Sequence, residues 1–263
     1  MNVATPNVEN HLKSDLLRRK SRSADGQIGC IHMATLPGDY WYSSQGGDDS
    51  GGLLAIVDGW ELQGEMFPSQ DDHPQGMDER YHAYCGPDKP NRIFIASQNV
   101  ALIQFRIPSL GEGFKVNVRL IDNPQPCNAV AMLENGIYTM KNFGERRNCT
   151  ISIIYPERIQ LVSVDVGVTA EKPIIEGEIG LTDKCAHPAG SDLVEIMNGN
   201  GLDTSIMTKR AAFCGMESGA ENKGVVLGCQ HSVVRLVSSG KFYNSITFLY
   251  TPPTDEELVG GGC

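Results

Sequence analysis

Apolar and polar residues alternate singly along most of the chain after residue 26. Phe114-Lys115-Val116-Asn117-Val118-Arg119-Leu120 switches at every step, the pattern of a strand with one wet face. Cys149, Ile151, Ile153 and Tyr155 alternate with Thr150, Ser152 and Ile154 in the same way. Val100 to Ile107, Ile159 to Val166, Leu193 to Met197, Val233 to Val237 and Ser245 to Tyr250 are further short β-type runs. No segment after residue 26 keeps a helical period over three turns, so the class expected is all-β. Residues 33–53, rich in Gly, Ser and Asp, read as a long loop. Residues 1–26 are polar and read as a disordered N-terminus. Their one weak helical patch is Leu12, Leu16 and Leu17, followed by the basic Arg18, Arg19, Lys20 and Arg22.

The clearest break is Asn123-Pro124-Gln125-Pro126, where two prolines in three residues stop both strand and helix. It separates residues 27–123 from 127–250, each close to one small sandwich in length. Thr251 onward, with Pro252-Pro253 and Gly260-Gly261-Gly262, reads as an irregular tail over 251–263.

Composition narrows the classes. The 29 Gly and 14 Pro exceed the roughly 12% that average usage gives the pair, which favours turns between short strands. With 22 Lys and Arg against 32 Asp and Glu the net charge is −10, a poor balance for binding nucleic acid. No apolar run approaches the ~18–20 residues of a membrane-spanning helix. Cys30, Cys85, Cys127, Cys149, Cys185, Cys214, Cys229 and Cys263 are evenly spread, with no zinc-type C-x₂₋₄-C pair. An even, dispersed set reads as four disulfides in an oxidising compartment; eight buried thiols in the cytosol is the alternative. Met1 to Ser23 has no apolar h-region, so this start is expected to be incomplete for a secreted chain.

Motifs that suggest catalysis lack their partners. Gly47-Asp48-Asp49-Ser50-Gly51-Gly52 resembles a protease serine loop, but no Ala-Ala-His-Cys-type segment accompanies it. Asn198-Gly199-Asn200-Gly201 lacks the third glycine of a dinucleotide loop and reads as a turn. His11, His32, His73, His82, His187 and His231 show no paired spacing, and Asp71-Asp72-His73 reads as a solvated loop tip rather than a cation site. No enzyme, metal or cofactor is expected. Asn148-Cys149-Thr150 is an N-glycosylation sequon at the head of a strand, making Asn148 a candidate glycan acceptor.

From Cys127 onward the chain resembles a CUB domain, an extracellular β-sandwich. Cys127 precedes a turn at Asn135-Gly136-Ile137, and Cys149 opens a strand into Tyr155-Pro156. Cys185 precedes Ser191-Asp192-Leu193-Val194-Glu195-Ile196, and Cys214 lies in Phe213-Cys214-Gly215. Residues 54–120 repeat the later half of that pattern. More specifically, the chain resembles the corticotropin-releasing factor-binding protein family. The resemblance is carried in order by Val57-Asp58-Gly59-Trp60, Gly64-Glu65-Met66-Phe67-Pro68-Ser69-Gln70, Glu79-Arg80-Tyr81, Ser97-Gln98-Asn99-Val100-Ala101, Asn148 to Pro156, Gly201-Leu202-Asp203, and Val233 to Lys241.

The resemblance implies two CUB-like antiparallel β-sandwiches of jelly-roll type, the first incomplete. It also implies a secreted protein that binds a CRF-like peptide hormone (in an invertebrate, a CRF-like diuretic hormone) and keeps it from its receptor. Such peptides bind as amphipathic helices, which calls for an apolar receiving surface. The family's consecutive cysteine pairing implies Cys127–Cys149, Cys185–Cys214, Cys229–Cys263 and Cys30–Cys85. The family has ten cysteines, and here the pair that opens the first domain is missing. Ile31 to Ser44 looks inserted between Cys30 and Gly46-Gly47-Asp48. The rival reading is a generic CUB adhesion module; many of these bind Ca²⁺ through a Glu and two Asp, for which Asp192 is the one placed candidate.

Overall fold

The computed structural model describes residues 22–23, 34–43, 52–62, 64–85, 90–167, 176–179, 192–218 and 224–260. The chain forms two compact units, one of residues 1–55, 83–91 and 103–124, the other of residues 56–82, 92–102 and 125–263. The all-β expectation holds: apart from short helical turns, every element is a strand.

The second unit is built on one hydrogen-bonded path of strands that folds over on itself. Its order is Gly136–Lys141, Ser245–Thr251, Arg158–Val166, Thr208–Ser218, Leu193–Gly199, His231–Val237, Cys149–Ile153 and Ala129–Ala131. Pairing is antiparallel except at the edge, where Ala129–Ala131 runs parallel to Cys149–Ile153. Thr208–Ser218 makes the fold-over. It pairs with Leu193–Gly199 up to Phe213, then with Arg158–Val166 from Gly215 onward. Gly215 has φ +99°, a conformation that side chains avoid, at the residue where the strand changes partners. That strand was not expected from the sequence, nor were Ala129–Ala131 and Gly136–Lys141.

Alternation supplies the core between the two layers. Ile246, Phe248 and Tyr250 point inward from one strand, Val234 and Leu236 from another, and Val194 and Ile196 from a third. In Arg158–Val166 the inward set changes phase, from Ile159 and Leu161 to Val164 and Val166. The register shift between Leu161 and Ser163 inserts the extra residue and leaves Val162 exposed.

The tail is a correction. Where an irregular segment was expected after Thr251, Asp255–Gly260 is helical. Thr254 Oγ1 accepts from the Glu257 N–H at 3.3 Å, and Glu257 Oε2 accepts from the Thr254 N–H at 2.9 Å. Thr254-Asp255-Glu256-Glu257 is thus a capping box, a signal present in the sequence.

The first unit corrects the loop expected over residues 33–53. Gly38–Ser43 is a strand, antiparallel to Gly113–Val118, and Leu53 begins the strand Leu53–Asp58. Asp39 is followed by three consecutive aromatics, Tyr40, Trp41 and Tyr42, residue types that favour strands, and cross-strand pairing overrides the Gly- and Ser-rich surroundings. Tyr42, Phe105 and Phe114 form an aromatic cluster with ring centroids 5.0–5.2 Å apart. Among the described residues of this unit only Ala55 is fully buried.

Candidate functional site

The sheet layer of the second unit that carries Cys149–Ile153 has an outer face, and that face is covered. Thr150, Ser152, Glu195, Met197 and Val233 all point away from the sandwich core yet are buried. Residues 60–62, 64–75 and 97–100 lie over it. Phe67 packs with Val130 and Leu202, flanked by Trp60, Leu62, Val100 and Ile154. Gly59 makes the turn into this cover. Its φ is +126°, and a Cβ there would collide with the Phe67 carbonyl oxygen.

Asp72 pins the cover to the sheet. It was expected at a solvated loop tip; instead Asp72 and His73 are buried. Arg235 donates Nε and Nη2 to Asp72 Oδ1 at 2.9 and 2.7 Å, and Nη1 to Glu195 Oε2 at 3.0 Å. Thr150 Oγ1 donates to Asp72 Oδ2 at 2.6 Å, and Lys209 pairs with the far oxygen of Glu195. Burial alone would lower the Arg235 pKa, but the hydrogen bonds and charges of Asp72 and Glu195 outweigh it and hold it above its ordinary value. The sequence hides this cluster because Asp72, Thr150, Glu195 and Arg235 lie 40 to 163 residues apart. Glu65 makes a second pin, accepting the Leu202 and Asp203 N–H groups at 2.5 and 3.1 Å.

One constellation has the composition of a catalytic triad but not its wiring. Ser97 Oγ lies 2.8 Å from His73 Nε2, and Asp58 Oδ2 lies 3.5 Å from the same nitrogen. In a triad the carboxylate and the nucleophile hold opposite ring nitrogens. Here the Gln75 N–H donates to Nδ1 at 3.0 Å, which puts the ring proton on Nε2, facing Ser97. The serine therefore accepts rather than giving up its proton. Burial would raise the Asp58 pKa, but hydrogen bonds from His73 and Ser97 bring it below the ordinary carboxylate value, the behaviour of a structural acceptor.

Asp192 likewise spends its oxygens on protein donors. Oδ1 accepts from the Ser239 N–H at 2.7 Å, and Oδ2 from Asn244 Nδ2 at 2.5 Å and Ser238 Oγ at 3.3 Å. Among the described residues no group of three or more His, Cys, Asp or Glu is placed to hold a metal, and no helix is long and apolar enough to cross a membrane.

Cys127 and Cys149 form a disulfide, with Cα atoms 4.6 Å apart. Cys214 is also disulfide-bonded; Cys185, its implied partner, lies outside the described residues, as do Cys30, Cys263 and the Gly47–Gly51 loop. Cys85 is exposed and Cys229 is half-buried. Asn148 is half-buried, and its Nδ2 donates to the Asp71 carbonyl at 3.2 Å.

The first unit presents a different surface. Trp41 stands on the wet face of its strand, 50% exposed, with the Lys115 ammonium 5.5 Å from its ring. Lys115 also pairs with Asp39 at 2.8 Å. Phe105 is 44% exposed, and Leu110, Leu120 and Ile121 are more so. Isolated apolar residues are ordinary on surfaces; aromatics clustered on a thin sheet suit the docking of an apolar partner.

Comparison with known proteins bears on both units. The family model described as corticotropin-releasing factor binding protein N-terminal domain matches residues 39–122, and the corresponding C-terminal domain model matches residues 129–259. The chain is similar to the corticotropin-releasing factor-binding protein of Xenopus laevis, 39% identical over 204 residues, which is 76% of this chain and 60% of that protein. It is 38% identical to the Homo sapiens protein over 214 residues, 81% of this chain and 63% of that one. It is also 38% identical to the Ovis aries protein over 208 residues, 79% and 62% respectively. The chain thus spans somewhat over half the length of these relatives. With both domain models matched in order, the chain belongs to the corticotropin-releasing factor-binding protein family.

Proposed function

We propose that this protein is a secreted, non-enzymatic binder of a CRF-type peptide hormone that keeps the hormone from its receptor; in an invertebrate the hormone is a CRF-like diuretic hormone. The observation that carries the reading is the ordered match to both domains of a family whose members are named for binding corticotropin-releasing factor. Half-exposed Trp41 on one face of its sheet, and Phe105 with Tyr42 and Phe114 on the other, offer apolar surface that supports it, since an amphipathic helix binds by laying its apolar face on such a surface. The miswired Ser97–His73–Asp58 group favours a binder over a hydrolase.

Secretion carries two covalent expectations. Cys185–Cys214, Cys229–Cys263 and Cys30–Cys85 complete the consecutive pairing, and Asn148 carries a glycan. Non-reducing peptide mapping and a mass shift on glycosidase treatment test these. The functional test is calorimetric titration of the chain with synthetic corticotropin-releasing factor and with a CRF-like diuretic hormone. Saturable binding of either is expected, and heat-free titrations with both would overturn the reading.

A further inference from the structure

Glu157 lies between Tyr155-Pro156 and the strand Arg158–Val166, fully buried, with no hydrogen-bond partner for either carboxylate oxygen. Only its backbone carbonyl is engaged, by the Leu227 N–H at 2.8 Å. A buried carboxylate without donors costs stability and resists ionisation. Burial, with the Glu134 carboxylate nearby, pushes its pKa up to about 7. The other polar group facing it is the Tyr250 hydroxyl, an uncharged group whose own pKa is raised by burial and by Tyr138 and Glu157. Among the described residues no cation answers it. Arg158, next in sequence, turns its Nε to Glu257 at 3.5 Å, and Glu257 also holds the Thr254 cap.

Glu157 lines an open pocket of about 350 Å³, within the roughly 300–1,000 Å³ range of sites that hold small ligands. The remaining walls include Tyr155, Pro156, Pro252, Pro253 and Leu258, with Glu134 as a second carboxylate. Among the described residues the lining is therefore hydrocarbon and ring surface, two carboxylates and no basic side chain.

We propose that this pocket is a binding site for a basic side chain of a peptide, arginine or lysine, whose aliphatic stem packs on the prolines, Tyr155 and Leu258 while its cationic head pairs with Glu157. The match is one of chemistry. Long basic side chains cover apolar surface with their methylenes and carry their donors at the tip. The tip supplies the hydrogen bonds that Glu157 lacks, in a charge-assisted form. Arginine fits better than lysine, because its planar fork can serve Glu157 and Glu134 together and can lie on the Tyr155 ring. The inference stands apart from the hormone reading, since the pocket is defined by its own lining and any peptide presenting such a side chain qualifies.

The test uses the full chain and three probes: Nα-acetyl-arginine amide, Nα-acetyl-lysine amide and the uncharged isostere Nα-acetyl-citrulline amide, with binding read by saturation-transfer NMR. The arginine probe is expected to bind saturably at pH 8, lysine more weakly and citrulline not at all. Affinity should fall on the order of tenfold or more at pH 5.5, where Glu157 is protonated and binding must expel the proton. Glu157→Gln should abolish binding while melting at pH 8 no earlier than the parent, because it removes an unpaired buried charge. That combination separates a ligand-pairing carboxylate from one the fold needs. If Glu157→Gln does not fold, Leu258→Arg at the half-exposed wall should block the probe with its own tethered cation. Arginine binding that is absent, independent of pH, matched by citrulline, or retained in both variants would overturn the proposal.

Discussion

Two strands of similar length show how differently alternation is used in this chain. In Gly113–Val118 the side chains alternate between exposed and half-buried, so the pattern in the sequence is the pattern of solvent contact. In Cys149–Ile153 the alternation is as regular, yet every residue is buried. The inward Cys149, Ile151 and Ile153 meet the sandwich core, while on the outward side Ser152 is buried and Thr150 meets the cover formed by residues 60–62, 64–75 and 97–100. Polar outward residues therefore do not by themselves mean a wet face. Here they mark a second interface, in which Thr150 serves a buried ion cluster.

The largest expected effect comes from breaking that cluster. Asp72→Ala leaves the Arg235 guanidinium within the interface with only Glu195 to answer it. Removing one partner of a buried pair typically costs about 3–5 kcal/mol. Urea unfolding followed by Trp60 and Trp41 fluorescence should show the midpoint falling accordingly. A loss under about 1 kcal/mol would mean that water reaches the cluster and that the cover is held by its apolar contacts alone.

Next in size is the disulfide at the head of the same strand. Cys127 and Cys149 close a loop with a sequence separation of 22 residues, and the chain-entropy account gives such a link about 3 kcal/mol. Replacing both cysteines with serine should lower stability by about that much and release the parallel edge strand Ala129–Ala131. Hydrogen exchange of the Ala129–Ala131 amides checks the location, and unchanged protection there would leave the cover rather than the disulfide holding the edge.

The comparison also explains what could be read in advance. The β class and the inward residues of Ser245–Thr251 and His231–Val237 follow from local alternation, while the Cys127–Cys149 link was implied by the family resemblance. Thr208–Ser218 was not legible because its Thr-Lys-Arg-Ala-Ala opening has no alternation; pairing on both sides makes it a strand. Asp72 was misplaced in solvent because an acidic pair beside a histidine is locally indistinguishable from a loop tip, and its partner Arg235 is 163 residues away. Glu157 carried no signal, since a single glutamate before a strand says nothing of burial. The Thr254 cap, by contrast, was present in the sequence as T-x-x-E.

A smaller effect, with pH as its handle, comes from Glu157. Its folded pKa of about 7 lies above the ordinary 4.5, so between those values the native state binds more protons than the unfolded one. Stability should therefore decline as pH rises through that window, by on the order of 1–3 kcal/mol in all, and be level above it. Glu157→Gln should flatten this part of the profile. Asp58 acts with the opposite sign: its pKa is lowered, so its contribution is present above its ordinary value and is lost only as acid protonates it. A parent profile that does not decline between pH 5 and 8 would show that water or a bound cation already satisfies Glu157.

The smallest stability effect is expected on the other side of the comparison, and it carries the most information about binding. Trp41 is half exposed on a sheet whose described residues include none that is fully buried. Trp41→Ala removes ring surface already in water and one weakly held cation–π contact with Lys115, so stability should change by no more than about 0.5 kcal/mol. If the surface receives a peptide, the same substitution should weaken binding at least tenfold, because exposed aromatics carry a disproportionate share of interface energy. Titration of the parent and Trp41→Ala with one CRF-type peptide, beside their unfolding curves, separates the two quantities. Stability and affinity both unchanged would place the peptide surface elsewhere on the molecule. A large loss of stability would instead show that this thin sheet relies on Trp41 for its own packing.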